Sequence, residues 1–205
     1  MSVNGVRVVS GSLTIPAYGA WAADFKLATP DPQTAAASVV IGNLTLTGTA
    51  IRTAPYAGAR EWRGVAGYAG WRKLLTQKSY GNTNVMLSMV LGDAASELGE
   101  KVNVQNDVAL GTGWNVLGTQ TGGELLYQCA GNWYVDASGV TQIGSRPSAQ
   151  IATPFQVIDD RSGYGLFDIA TEDYASWQPG ATFTAPTVTG TVTISSVLPP
   201  NRSMF

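Results

Sequence analysis

The side chains in this sequence that could do chemistry are carboxylates. Asp159 and Asp160 stand beside Arg161, and Asp168, Glu172 and Asp173 follow closely. Two carboxylates held across a cleft could act as acid and base in glycoside hydrolysis. Acidic residues set among Arg, Ser and Gly more often build turns and surface pairs. Nor do Asp159, Asp160 and Asp168 have the spacing of a calcium-binding loop. Histidine is absent, which removes Ser-His-Asp and Cys-His catalysis and most zinc sites. The single cysteine, Cys129, excludes an internal disulfide and falls on the apolar side of a short helical pattern, as a small core residue would. No catalytic residue, metal site or cofactor is expected.

Two other features invite a binding reading. Residues 64–70 (GVAGYAG) form a glycine-rich run before Trp71-Arg72-Lys73. The run matches neither the P-loop nor the dinucleotide fingerprint and has no parallel βαβ pattern around it, so it reads as a flexible connection where strands cross closely. The six tryptophans, Trp21, Trp62, Trp71, Trp114, Trp133 and Trp177, could supply a sugar platform, interface anchors or core. Trp133 lies in an alternating strand and reads as core. Trp177 precedes Gln178-Pro179-Gly180 in a loop and is the exposed candidate. At the C-terminus, Leu198, Met204 and Phe205 flank and follow a Pro-Pro stiffener and read as residues that dock on a neighbour.

The elements that must carry these residues are mostly strands. Residues 3–54 alternate apolar and polar positions: Val6 and Val8 around Arg7, Leu13 and Ile15 before Pro16, then 21–27. Residues 39–41, Gly42-Asn43 and 44–51 form a hairpin pattern in which Thr45, Thr47 and Thr49 oppose Leu44, Leu46 and Gly48. A further strand covers 61–65, and short strands at this spacing suggest a small barrel or sandwich. Leu91, Ala94, Ala95 and Leu98 share one helical face, ended by Gly99 and with Asp93 near its start, and Val102 to Val104 then reads as strand. A second helix over 122–130 ends at Gly131 and leads into strands at 132–136 and 140–144. Strand patterns resume at 155–158, 164–169, 181–184 and 188–197. The expected class is mainly β (α+β), with a small barrel over 1–75. A second β-rich domain follows over 76–197, with short helices near 88–98 and 122–130, and then a tail over 198–205.

Composition sets further bounds. Charged residues make up 13 % of the 205, about half the usual share, so the polar surface rests largely on Thr, Ser, Asn, Gln and Gly. Such a surface repels neighbouring chains weakly and lowers the desolvation cost of contact. The net charge of −2 provides no basic footprint for nucleic acid. No apolar run is long enough to span a membrane as a helix, and the N-terminal residues lack a secretory-signal pattern.

Three stretches resemble a known family. Residues 89–104 (MVLGDAASELGEKVNV) look like a helix-to-strand phrase of baseplate hub proteins of tailed bacteriophages. Residues 123–131 (GELLYQCAG), 133–136 (WYVD) and 139–147 (GVTQIGSRP) look like the helix and tryptophan-bearing hairpin that follow it there. The opening residues 11–16 (GSLTIP) and 19–24 (GAWAAD), with 42–48 (GNLTLTG), are similar to the first barrel of tail proteins from long-tailed phages. The resemblance implies barrel domains arranged in a trimeric or hexameric ring that joins the tail tube to a central spike or fibre. The chain would then be made in the host cytoplasm and reside in the virion. The competing expectations are a carbohydrate-binding tip or decoration protein and a carboxylate-dependent hydrolase.

Overall fold

A barrel closes at Asn4-Gly5. Both residues have positive φ, 49° and 81°, the geometry of a two-residue hairpin turn that Asn-Gly adopts at little cost. This turn folds β1 (Ser2–Val3) back on β2 (Val6–Pro16). The structure, a computed structural model, describes residues 1–81, 84–185 and 188–197. β3 (Ala22–Leu27), β4 (Ala36–Ile41), β5 (Leu44–Tyr56) and β6 (Ala59–Ala66) complete the wall. Strand order is β1-β4-β5-β6-β3-β2, and β1 also pairs with β2, so the six strands form a closed barrel. The Asn4 side chain holds the seam: it accepts from the Ser38 amide at 2.8 Å and donates to the Ala36 carbonyl at 3.0 Å.

Alternation along the strands fills the barrel. Leu13, Ile15, Leu27 and Val39 are inside, and Phe25 stacks on Trp62 with centroids 5.7 Å apart. The expected Leu44, Leu46 and Gly48 face is the inner one. A Cβ on Gly48 would stand 2.4 Å from the Trp21 ring, so the indole occupies the space that glycine leaves. β2 bulges between Val8 and Ser10, and just beyond, at Gly11 (φ +135°), a Cβ would meet the Asp24 carbonyl oxygen at 2.1 Å.

Beyond the barrel the strands shorten. A 3-10 turn at Gly70–Arg72 leads to β7 (Lys78–Tyr80), β8 (Val85–Met86) and α1 (Leu87–Leu98). Then come β9 (Val102–Val104), β10 (Ala109–Gly111), β11 (Trp114–Val116) and α2 (Gly122–Cys129). β12 (Trp133–Val135) and β13 (Thr141–Ile143) form the expected hairpin, and β9 joins β13 in parallel. The apolar stripe of α1 is as read, with Leu87 and Val90 added to it. Asp93 lies well inside α1 rather than at its start. The helix N-terminus is capped instead by Asp107, which accepts from the Ser88 amide at 2.9 Å and from its hydroxyl. α2 starts with a capping box: Glu124 N–H donates to Thr121 Oγ1 and Thr121 N–H donates to Glu124 Oε2. Together these elements enclose a second core around Val90, Leu91, Leu98, Leu125 and Leu126.

A third, small core collects Ile151, Trp177, Ala181 and Phe183. Around it lie β14 (Gln156–Arg161), β15 (Leu166–Ala170), β16 (Thr182–Ala185) and β17 (Val188–Thr191). The last described strand, β18 (Ile194–Val197), returns to the barrel and pairs with residues 13–16 of β2.

The β12–β13 hairpin ties the parts together. Val135 belongs to the barrel core, Ile143 to the second core, and Trp133 packs against both. Gly19 N–H donates to the Trp133 carbonyl at 2.7 Å, and Val135 N–H donates back to the Gly19 carbonyl at 3.1 Å. Replacing Trp133 with alanine removes apolar contact from both cores at once, and we expect a loss of about 3 kcal/mol. Urea unfolding followed by circular dichroism and by tryptophan emission checks this. Loss of less than about 1 kcal/mol would show that the two cores do not depend on this ring.

Candidate functional site

The acidic residues do not converge on a cleft. Asp159 and Asp168 are opposed across β14–β15, and Arg161 bridges them, at 3.1 Å to Asp159 and 2.6 Å to Asp168. All three side chains are about half exposed on the outside of the hairpin. Asp173 lies apart, in the loop that holds the β4–β5 turn. It accepts from Asn43 Nδ2 at 2.8 Å, while Asn43 Oδ1 accepts from the Ala175 amide at 3.1 Å, and Tyr174 packs on Gly42. Hydrogen bonds from Ser176 and Asn43 hold the Asp173 carboxyl down at about 2. Among the described residues no three His, Cys, Asp or Glu side chains are placed to share a metal ion.

Burial pushes the Cys129 thiol up to about 11, and its Sγ donates to the Leu125 carbonyl at 3.0 Å. The group is a packed thiol, as the helical pattern indicated, with little thiolate character.

The glycine-rich run is the most organised polar site, and its ligand is part of the chain. Gly67 and Ala69 have left-handed φ, 69° and 61°, which turns successive amides inward. Into this cradle reaches Glu100, 8 % exposed, just past the Gly99 end of α1. Its Oε1 accepts from the Gly70 amide at 2.5 Å and its Oε2 from the Tyr68 amide at 3.3 Å. A Cβ on Gly70 would stand 2.3 Å from the Leu98 carbonyl oxygen, so only glycine admits the end of α1 there. The connection is held in place rather than loose: Thr49 Oγ1 donates to the Gly67 carbonyl at 2.7 Å. The close approach at Gly70 is to the end of helix α1 and not between strands, and the inward amides of the run are satisfied internally by Glu100. A carboxylate one residue beyond a helix-ending glycine was the available signal.

A cavity of about 300 Å³ lies between β7, β11 and α1. Its polar groups satisfy one another: Lys78 pairs with Asp93, and the Tyr80 hydroxyl donates to Asp93 Oδ2 at 3.0 Å. Burial raises the Tyr80 phenol further above its ordinary value, with Asp93 adding to the shift, so it serves as a donor.

The tryptophans are interior. Trp21, Trp62, Trp71 and Trp177 are buried, and Trp114 and Trp133 are half-buried. Trp177 therefore departs from its expected exposure. Its loop folds back so that the indole meets Phe155 edge-on at 4.8 Å and Phe183 at 5.5 Å. Trp71 Nε1 donates to Thr141 Oγ1 at 2.8 Å, which ties the 3-10 turn to β13. Among the described residues the exposed aromatic side chains are tyrosines instead, Tyr127 and Tyr164 most of all. Leu198, Met204 and Phe205 lie outside the described residues.

No protein-family model matches the chain, and no curated protein matches it in sequence. Among solved structures it is similar to a prophage tail protein, gp18 from Listeria monocytogenes EGD-e. The identity is 13 % and the TM-score 0.43, with 88 % of this chain and 66 % of that one covered. The chain thus spans just under two thirds of that protein's length, a likeness too loose to transfer a role.

Two tests follow from this geometry. Burial raises the Glu100 carboxyl above its usual value, against the pull of the surrounding amides and of Lys73. The folded state then holds this proton more tightly than the unfolded chain, so the term favours folding at low pH and is lost as pH rises through the raised value. We expect the wild type to gain stability relative to Glu100→Gln as pH falls through the mildly acidic range in urea titrations. A gain on raising the pH would contradict the burial argument. Trp177→Ala should cost about 3 kcal/mol locally, read as faster amide exchange across 151–183 with the barrel amides unchanged. Unchanged exchange there would place the indole outside any core.

Proposed function

We propose that this chain is a structural component of a bacteriophage tail tip or baseplate hub. In this reading it forms a trimeric or hexameric ring that joins the tail tube to the central spike or fibre. The observation that carries the proposal is how the three hub-like stretches are used. Residues 11–24 and 42–48 lie in the barrel wall and the turn that follows it, 89–104 form a helix and strand below it, and 123–147 supply the hairpin that joins them. The stretches whose order resembles the family are thus also the ones that interlock.

The surface supports the same role. Charge is sparse, and Leu74, Leu117, Tyr127, Ile158, Tyr164 and Leu166 are exposed. Two-stranded β14–β15 has both outer edges unpaired among the described residues. Strand edges and apolar side chains of this kind are a liability in a lone monomer and an asset between copies. The mechanism is geometric rather than catalytic, with partners that are other copies and neighbouring tail proteins, in a virion made in the host cytoplasm. The alternative of a tryptophan-based sugar platform is disfavoured because none of the six indoles is exposed.

The native mass of the purified chain, alone and mixed with neighbouring tail proteins, tests the proposal. We expect a closed trimer or hexamer in one of these conditions, and a monomer throughout would overturn it. A chain ending before Leu198 should fold with unchanged circular dichroism yet assemble or dock poorly. Unchanged assembly would show that Leu198, Met204 and Phe205 take no part in the interface.

A further inference from the structure

Two charged triads of opposite sense stand on the outer surface. On the barrel wall, Arg52 of β5 is directly opposed to Arg63 of β6, and Arg63 is opposed to Asp24 of β3. Arg63 is held by Asp24 in a two-pronged pair at 2.6 and 3.0 Å. Arg52 makes no ion pair among the described residues, so this row is two arginines sharing one aspartate. Like charges facing each other across strands are unfavourable unless a third charge intervenes. The row borders a groove of about 440 Å³ that also exposes Tyr56.

The β14–β15 hairpin carries the inverse arrangement: two opposed aspartates, Asp159 and Asp168, sharing one arginine, Arg161. Val157, Phe167 and Ile169 turn the hairpin's other face to the third core, while Ile158 and Leu166 stay exposed. The outer-face triad is therefore acidic by one charge and edged with apolar side chains. The groove, where Lys26, Arg52 and Arg63 stand against Asp24 and Glu61, is basic by one and edged by Tyr56, whose ring lies 5.5 Å from Lys26 Nζ.

The third core is anchored at the β4–β5 turn through Asn43 and Asp173, whereas Arg52 and Tyr56 approach the β5–β6 turn at the other end of β5. Arg52 lies nine residues beyond Asn43, roughly 30 Å along an extended strand at about 3.3 Å per residue.

We propose that the outer face of the β14–β15 hairpin of one copy docks on the Arg52 groove of a second copy. The contact is head-to-tail, the kind that closes rings by rotation, and it rests on the ring-forming role proposed above. Arg52 then meets the surplus charge of the Asp159–Arg161–Asp168 triad, and Ile158 and Leu166 pack towards Tyr56.

Sedimentation of the full chain over a range of concentrations tests this, with circular dichroism as the folding control. Arg52→Asp and Asp159→Lys should each weaken self-association about ten-fold or more, and salt should weaken the wild type. A mixture of the two variants should associate, because the intact hairpin of one meets the intact groove of the other. If the oligomer persists undiminished in both variants, this contact is wrong while the ring survives. If both variants weaken but the mixture does not recover, the head-to-tail pairing is wrong. A chain that stays monomeric at every concentration, alone and with neighbouring tail proteins, overturns the ring and this contact together.

Discussion

The structure depends on a short hairpin that belongs to two cores at once. β12 and β13 are only three residues each, too short to be stable as a free two-stranded unit. Their order comes from what they touch. Val135 fills the barrel, Ile143 fills the helical core, and the Trp133 ring packs on both. The backbone exchange with Gly19 and the Thr47 amide donating to Ala137 fix the hairpin against the barrel end. Arg146 then reaches back across Tyr134, centroid distance 4.3 Å, to donate to the Ala17 and Pro16 carbonyls. Neither the barrel nor the helical layer can shift without opening one side of this joint.

A chain with so few charges must satisfy its buried backbone by other means. Glu100 does for the 68–70 amides what a bound anion would do elsewhere, and it joins the end of α1 to the chain leaving β6. Asp107 and Thr121 do the same for the two helix N-termini. Each of these carboxylates or hydroxyls receives amides from a segment that would otherwise leave donors unpaired. The polar residues are thus spent on joints between segments. What remains on the surface is largely hydroxyl, amide and apolar.

Much of this was legible in the residues. The Thr and Leu alternation at 44–48 marked the barrel wall, the stripe from Leu91 to Leu98 marked α1, and Gly131 and Gly139 marked the ends of α2 and the tight turn, because each pattern depends on neighbours a few positions apart. Contacts between distant segments were not legible. Nothing near Asp93 shows that Asp107 caps α1, and nothing near Trp177 shows that its loop turns inward over Phe155. Closure of the barrel was not legible either: Asn4-Gly5 specifies only a turn, and its meaning depends on β1 also meeting β4. The cradle at 67–70 was not legible for the same reason: the run reads as a flexible connection, and both the inward turn of its amides and the carboxylate they hold depend on a helix end 30 residues on.

The joint also decides what kind of assembly the surface charges can direct. Complementary patches at opposite ends of a flexible molecule can find each other within one copy. On a rigid body they cannot, and their attraction is available only to neighbours. β18 returning to β2, the Asn43–Asp173 link and the Trp133 joint each remove a hinge between the barrel and the parts below it. With those hinges gone, the angle between the two patches is a property of the fold. The head-to-tail contact proposed above would then apply one fixed rotation per copy, which gives a ring where that rotation closes and an open filament where it does not. Rigidity inside the chain is thus set in large part by a hairpin whose strands are three residues long, and any order between copies would inherit it.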